Sequence, residues 1–162
     1  MKELLIYRHA KTEKAANGTA DFDRELAPRG LRQSVEMAGK LRDKGIQPDL
    51  IVSSPAVRAR RTAEVTLKTL GSSLTPLEEP DLYGSDAGDY LKVIARSGNG
   101  AARLAVVGHN PSCEELLELL TGEAFHLGTA SIAWIRLPID SWKDFSRETR
   151  GTLVEHLKAE TV

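Results

Sequence analysis

Two arginines and two histidines stand where apolar runs end. Leu4-Leu5-Ile6-Tyr7 empties into Arg8-His9, Leu50-Ile51-Val52-Ser53-Ser54-Pro55 leads to Arg58, and Leu104-Ala105-Val106-Val107-Gly108 leads to His109. A neutral imidazole, with an ordinary pKa of ~6.5, is a competent nucleophile near neutral pH. Its attack on phosphorus gives a phosphohistidine that water hydrolyses in a second step. His9 is the nucleophile expected from this layout. Charge developing on the equatorial phosphoryl oxygens needs fixed donors, and the planar fork of arginine matches that geometry, so Arg8 and Arg58 are expected to form the clamp. His109 is expected to bond the same oxygens and, if cationic, to discourage protonation of His9. Taken singly, each residue has a plain structural reading: a surface dipeptide, a charge on a solvated helix, a histidine bonding a turn. Their joint placement at three strand exits favours one phosphate site.

Competing phosphate chemistries fail on spacing. Cys113 as a phosphatase nucleophile needs an arginine six positions on, and position 119 is Leu119. Asp21-Phe22-Asp23 follows no apolar strand and precedes Arg24, so these are expected to be turn or helix-entry aspartates rather than a metal-dependent phosphoryl acceptor. No glycine-rich loop ending in Lys-Ser/Thr occurs, which argues against a nucleotide P-loop. No metal or other cofactor is expected. His126 and His156 lack such context and are expected to be structural or solvent-exposed.

The elements that must position the four residues follow from periodicity. After the first strand comes a polar stretch from Thr12 to Pro28. Leu31, Val35, Ala38 and Leu41 then trace a helix ending at Gly45. A strand at Leu50–Val52 precedes a second helix carrying Ala59, Ala63, Leu67 and Leu70 and closed by Gly71. Ser72 to Ser85 reads as a loop with at most a short strand near Leu77. A third helix carries Ala87, Tyr90, Leu91, Ile94 and Ala95 and stops at Gly98-Asn99-Gly100. Ser112 and Glu115 predict a capping box for a fourth helix with Leu116, Leu117 and Leu120. Cys113, near that helix start, is expected to be a half-buried thiol. Thr129–Leu137 and Thr152–Leu157 read as closing strands joined by a polar turn. Alternating strands and helices predict a largely parallel sheet covered on both faces, with ligands at the carboxyl ends of its strands.

At 162 residues and 41% hydrophobic content, one compact domain spanning 1–162 is expected. The formal charge of -1, with both signs interspersed, argues against general affinity for nucleic acid. One cysteine allows no internal disulfide. Met1-Lys2-Glu3 runs straight into a strand, and no stretch approaches the ~20 apolar residues of a membrane span. No membrane association is therefore expected, and a cytoplasmic monomer is.

The motifs resemble those of the histidine phosphatase, or phosphoglycerate mutase-like, superfamily, and in particular its short SixA-type phosphohistidine phosphatase branch. The resemblance runs through Tyr7-Arg8-His9-Ala10-Lys11, then Asp21-Phe22-Asp23-Arg24-Glu25-Leu26 with Gly30. It continues through Ser53-Ser54-Pro55-Ala56-Val57-Arg58-Ala59 with Thr62-Ala63, and ends in Val107-Gly108-His109-Asn110-Pro111. It implies a three-layer α/β/α sandwich with a mostly parallel central sheet. It also implies His9 as phospho-acceptor, with Arg8, Arg58 and His109 completing the pocket. Some branches place an aspartate after the second histidine, where this chain has Asn110. Others use a glutamate before the third helix, where this chain reads Pro80-Asp81-Leu82-Tyr83-Gly84. Asp81, with Glu79 and Asp86, is the candidate proton donor.

A weak acid suits a phosphoramidate, because an imidazole leaves with a pKa near ~6.5 whereas an alkoxide needs protonation in the transition state. The expectation is a metal-independent phosphatase acting on protein-bound phosphohistidine. A small-molecule phosphomonoesterase of the same superfamily and a phosphate-binding module without turnover are the alternatives. The partner is accordingly a phosphorylated protein, such as a histidine phosphotransfer protein, or a small phosphate ester. Mutase activity ranks below hydrolysis.

Overall fold

The computed structural model describes residues 1–161. Six strands form one sheet in the order β3-β2-β4-β1-β5-β6. They are β1 (Lys2–Arg8), β2 (Leu50–Ser53), β3 (Leu77–Glu78), β4 (Arg103–Gly108), β5 (Ile132–Leu137) and β6 (Thr152–Leu157). β1, β2, β3 and β4 run parallel, while β5 is antiparallel to both β1 and β6. Four helices cover the sheet: α1 (Pro28–Asp43), α2 (Val57–Leu70), α3 (Ala87–Ser97) and α4 (Ser112–Thr121).

The period-2 alternation of a strand explains why both faces are apolar. Leu4 and Ile6 of β1 join a core layer with Tyr90 and Ile94 of α3 and Leu116 and Leu120 of α4. Leu5 and Tyr7 join the opposite layer with Met37 and Leu41 of α1 and Ala59, Ala63 and Leu67 of α2. β4 divides its side chains in the same way. The result is the α/β/α sandwich that the alternating elements predict.

Helix boundaries follow from local chemistry, with corrections to the expected ones. α1 begins three residues earlier than Leu31, on Pro28, whose fixed φ suits the first helical position. α2 ends on Gly71 in the left-handed conformation, φ 68°. The box expected at Ser112 and Glu115 does not form. The Ser112 hydroxyl donates instead to the Ser85 carbonyl, a tertiary acceptor that outcompetes the local one. A capping box forms on α3, between Asp86 and Asp89. β5 starts at Ile132 rather than Thr129, because Ala130 turns to φ 62° and donates its N–H to the His9 carbonyl at 3.1 Å. The connection to β6 is not purely polar: Trp142 and Phe145 bury themselves against α3. Cys113 is fully buried rather than half-buried, and burial pushes its thiol up to about 12.

Two glycines set the height of the strand ends. A Cβ on Gly30 would stand 2.1 Å from the Lys11 carbonyl oxygen, so the first turn of α1 packs directly on the chain leaving β1. A Cβ on Gly108 would stand 2.3 Å from the Tyr90 hydroxyl, which passes beneath the end of β4. That hydroxyl accepts the His109 N–H at 3.1 Å and donates to the Leu82 carbonyl at 3.0 Å.

Candidate active site

Register brings the expected residues together. Arg8 pairs with Gly108 and Ser53 with Val107, so the chain leaves β1, β4 and β2 at one level. The His9 N–H donates to the Gly108 carbonyl at 3.0 Å, the Arg8 N–H to the Ser131 carbonyl at 3.0 Å, and the Ala10 N–H to Thr62 Oγ1 of α2 at 3.0 Å. The backbone around His9 is thus tied on three sides.

The His9 side chain is buried, and its Nδ1 lies 2.8 Å from the Ala10 carbonyl. A carbonyl only accepts, so Nδ1 carries the proton and Nε2 the free lone pair. Burial lowers the pKa to about 3, a direction reinforced by His109, Arg58 and Arg8 and opposed by the bond to Ala10. The His109 ring centroid stands 5.2 Å away. Burial, then the Arg58 charge, lowers His109 to about 4, so at neutral pH it is uncharged, in contrast to the cationic form entertained above. Ser54 Oγ accepts the Ala56 N–H at 3.2 Å and lies 2.8 Å from His109 Nε2. The hydroxyl keeps one proton and one further lone pair, so it can pair with either tautomer of His109, whose Nδ1 is buried with no partner.

Arg8 Nη1 donates to the Leu127 carbonyl at 3.0 Å, and Asn110 Nδ2 donates to the same oxygen at 2.8 Å. Arg8 Nε is buried and unpartnered. Arg58 sits in the first turn of α2, buried beside the polar stretch that follows β1. Its Nη1 donates to the Asp21 carbonyl at 2.8 Å and its Nη2 to Asp21 Oδ2 at 3.1 Å. Tyr83 donates to the same Oδ2 at 2.7 Å. That bond, with those from Arg24 and Arg58, holds the Asp21 carboxyl down at about 2. Tyr83 meets His109 edge-on at 5.7 Å and Phe22 at 5.2 Å, so Asp21, Phe22 and Tyr83 form one wall of the site.

Asp21 lies in the 3-10 turn Asp21–Asp23, as a helix-entry aspartate should. Its hold on Arg58 has no signal in spacing, because the segment carrying it has no period. Tyr83 likewise reaches the site from the aperiodic stretch before α3, and Ser54 lies within the 53–59 motif that ends β2. The candidate donors sit elsewhere. Glu79 and Asp81 both accept from Arg96, at 2.9 and 3.0 Å, and Asp86 caps α3. His126 is exposed and pairs with Glu114, and His156 packs on the Phe125 ring at 4.6 Å. Among the described residues, no three His, Cys, Asp or Glu side chains group to hold a metal, and no helix is long and apolar enough to cross a membrane.

Chemically, this is a neutral imidazole with a free Nε2 lone pair, within the field of two guanidinium groups, at the carboxyl edge of a parallel sheet. Residues 4–97 match the pattern of the histidine phosphatase superfamily, branch 1. An uncharacterized Mycobacterium tuberculosis protein is 37% identical over 113 residues, covering 70% of this chain and 68% of that protein. A crystal structure assigned to the phosphohistidine phosphatase SixA of Agrobacterium tumefaciens superposes with TM-score 0.83 at 28% identity, covering 96% of this chain and 97% of that one. The protein histidine phosphatase SixA complexed with tungstate shares the fold, at TM-score 0.82 and 24% identity over 97% of each chain.

Proposed function

The chain belongs to the histidine phosphatase superfamily, in its SixA-type branch, and is a phosphatase; from that premise we propose that it hydrolyses phosphohistidine carried by another protein, through a phosphohistidine formed on His9. The same reading takes the chain as one domain and a monomer, working in the cytoplasm on a signalling or phosphotransfer partner.

In the first step the Nε2 lone pair of His9 attacks phosphorus while the bond from phosphorus to the substrate ring nitrogen breaks. Its electron pair returns to the substrate ring. Arg8 and Arg58 hold the equatorial oxygens, and His109 adds a neutral N–H. The charge that His9 gains is met at Nδ1 by the Ala10 carbonyl, at 2.8 Å. Water then attacks phosphorus, the pair returns to Nε2, and phosphate leaves.

The observation that carries the substrate class is that the carboxylate touching the clamp, Asp21, accepts from both Arg58 and Tyr83. Asp21, held at about 2, is an anion at neutral pH and has no proton to give. Asp81 and Glu79 are held by Arg96. A phosphoimidazole ring protonated on its other nitrogen departs as a neutral imidazole without an enzymic acid, whereas an alkoxide does not. The segment between α2 and α3 holds only β3 and one turn, Pro80–Leu82, so no insertion roofs the site against a protein substrate.

The test is phosphate release, in the presence of a chelator, from a phosphohistidine-bearing protein and from a panel of phosphate monoesters, each against His9→Ala. Faster His9-dependent release from the phosphoprotein is expected. Preference for one small monoester overturns the assignment.

A further inference from the structure

A phosphatase for protein-borne phosphohistidine must hold the protein as well as the phosphoryl group, and the surface beside the site offers one place to do so. α1 and α2 start at the site and run from it side by side. The first turn of α1 packs on Lys11 through Gly30, and α2 opens with Arg58 in its first turn. At their far ends Arg42 of α1 donates to the Thr69 carbonyl of α2 at 2.6 Å. Their outward faces leave a groove of about 630 Å³, and its floor is apolar: Leu31, Val35 and Val65, with Val35 49% exposed. Its charged lining is wholly cationic, namely Arg32, Arg61 and Lys68, with no carboxylate among the lining residues. Arg61 and Lys68 have no hydrogen-bond or ion-pair partner among the described residues.

The chain as a whole is close to neutral, at -1, so three cations and no carboxylate on one lining mark a local excess of positive charge. A lone apolar surface residue means little, but an apolar strip rimmed by charge of one sign is complementary to an amphipathic segment of the other sign. The groove also lies in the right place. Arg61 is one helical turn beyond Arg58, Leu31 adjoins Gly30, and the strip extends about 12 Å along α2 from Arg61 to Thr69. A segment lying in it belongs to a surface already within one turn of the phosphate clamp.

We propose that the α1–α2 groove docks an acidic, amphipathic helical segment of the phosphohistidine-bearing protein. Its carboxylates meet Arg61 and Lys68, and its apolar side chains cover Leu31, Val35 and Val65. The proposal rests on the phosphohistidine reading above, and the measurement separates the two.

The double variant Arg61→Glu/Lys68→Glu is compared with the wild type on free phosphohistidine and on a histidine phosphotransfer domain phosphorylated with phosphoramidate. Both positions are exposed, so unchanged cleavage of free phosphohistidine also reports an intact fold. The expected result is about tenfold lower kcat/KM on the phosphorylated domain, carried by KM and shrinking as salt is raised, with free phosphohistidine unaffected. In parallel, a fluorescein-labelled helical peptide of repeating Glu-Leu-Leu-Glu should bind the wild type and not the double variant, and its lysine counterpart should bind neither. Equal cleavage of the phosphorylated domain by both proteins, or equal peptide binding, overturns the docking assignment. Failure of the wild type on the phosphorylated domain overturns the parent reading instead, and the peptide arm still decides whether the groove takes an acidic helix.

Discussion

Asp21 holds Arg58 with two different atoms: its carbonyl oxygen accepts from Nη1 at 2.8 Å and its Oδ2 from Nη2 at 3.1 Å. A guanidinium has five N–H donors, so two are committed to Asp21 and three remain for a phosphoryl group. The aspartate therefore fixes the plane of the clamp without occupying it, and Tyr83, donating to the same Oδ2, fixes the aspartate. Asp21→Ala should lower kcat/KM by about tenfold through freedom gained by Arg58, whereas Arg58→Ala should lose about a hundredfold or more. Asp21→Asn, which keeps an acceptor at Oδ, should fall between wild type and alanine. Steady-state kinetics on one substrate checks the order, and an alanine variant as active as wild type would remove Asp21 from the site.

His9→Ala should abolish turnover while sparing the fold. The main-chain bonds from His9 N–H to Gly108 and from Ala130 N–H to the His9 carbonyl involve no side chain and persist in the variant. The intermediate can be followed directly: brief incubation with labelled substrate should leave a base-stable, acid-labile phosphoryl group on the wild type and none on the variant. Labelled His9→Ala protein would move the nucleophile to another residue.

The convergence of the four candidate residues was legible because their positions depend on regular structure. Parallel strands in register end at one level, so Arg8 at the end of β1 and His9 and His109, each one place past β1 and β4, become neighbours whatever the loops do. Arg58, at the start of the helix after β2, follows for the same reason. Asp21 and Tyr83 reach the site from irregular segments, where no period reports direction. Leu127 is further still from being readable: its carbonyl receives both Arg8 and Asn110, a convergence made by the fold alone. Ser112 shows the opposite failure. Its local pattern matches a capping box, but the Ser85 carbonyl, brought close by α3, takes its proton. The candidate donor Asp81 likewise takes a partner that spacing does not report, Arg96 of α3 at 3.0 Å.

The depressed histidines predict the acid limb of stability. His9 at about 3 and His109 at about 4 bind protons less readily when folded than the ~6.5 of an unfolded chain. Between those values the unfolded state carries more protons, so stability rises with pH there. It is full above ~6.5 and declines as pH falls towards 4 and then 3. Asp21, held at about 2 against an ordinary ~3.9, adds a further loss as pH falls from ~3.9 towards 2. Melting temperature measured across this range should fall on acidification, and His9→Asn/His109→Asn should flatten the slope between pH ~6.5 and ~4. An unchanged slope in the double variant would mean that other groups set it. Activity should not show a His9 deprotonation step near neutral pH, since the nucleophile is already neutral there.

Tyr90 couples the fold to the site through one buried hydroxyl. It donates to the Leu82 carbonyl at 3.0 Å and accepts the His109 N–H at 3.1 Å, directly under Gly108. Tyr90→Phe keeps the ring and its packing but leaves a donor and an acceptor without their partner. This should cost about 1–3 kcal/mol of stability. The His109 main chain also loses its anchor, so kcat should fall several-fold while KM changes less. Gly108→Ala attacks the same point by clash and should destabilise by more, since the Tyr90 ring is fully buried and has nowhere to move. Chemical denaturation gives the first quantity and steady-state kinetics the second. Loss of stability with wild-type kcat in Tyr90→Phe would show that the hydroxyl supports the core alone and that His109 holds its position without it.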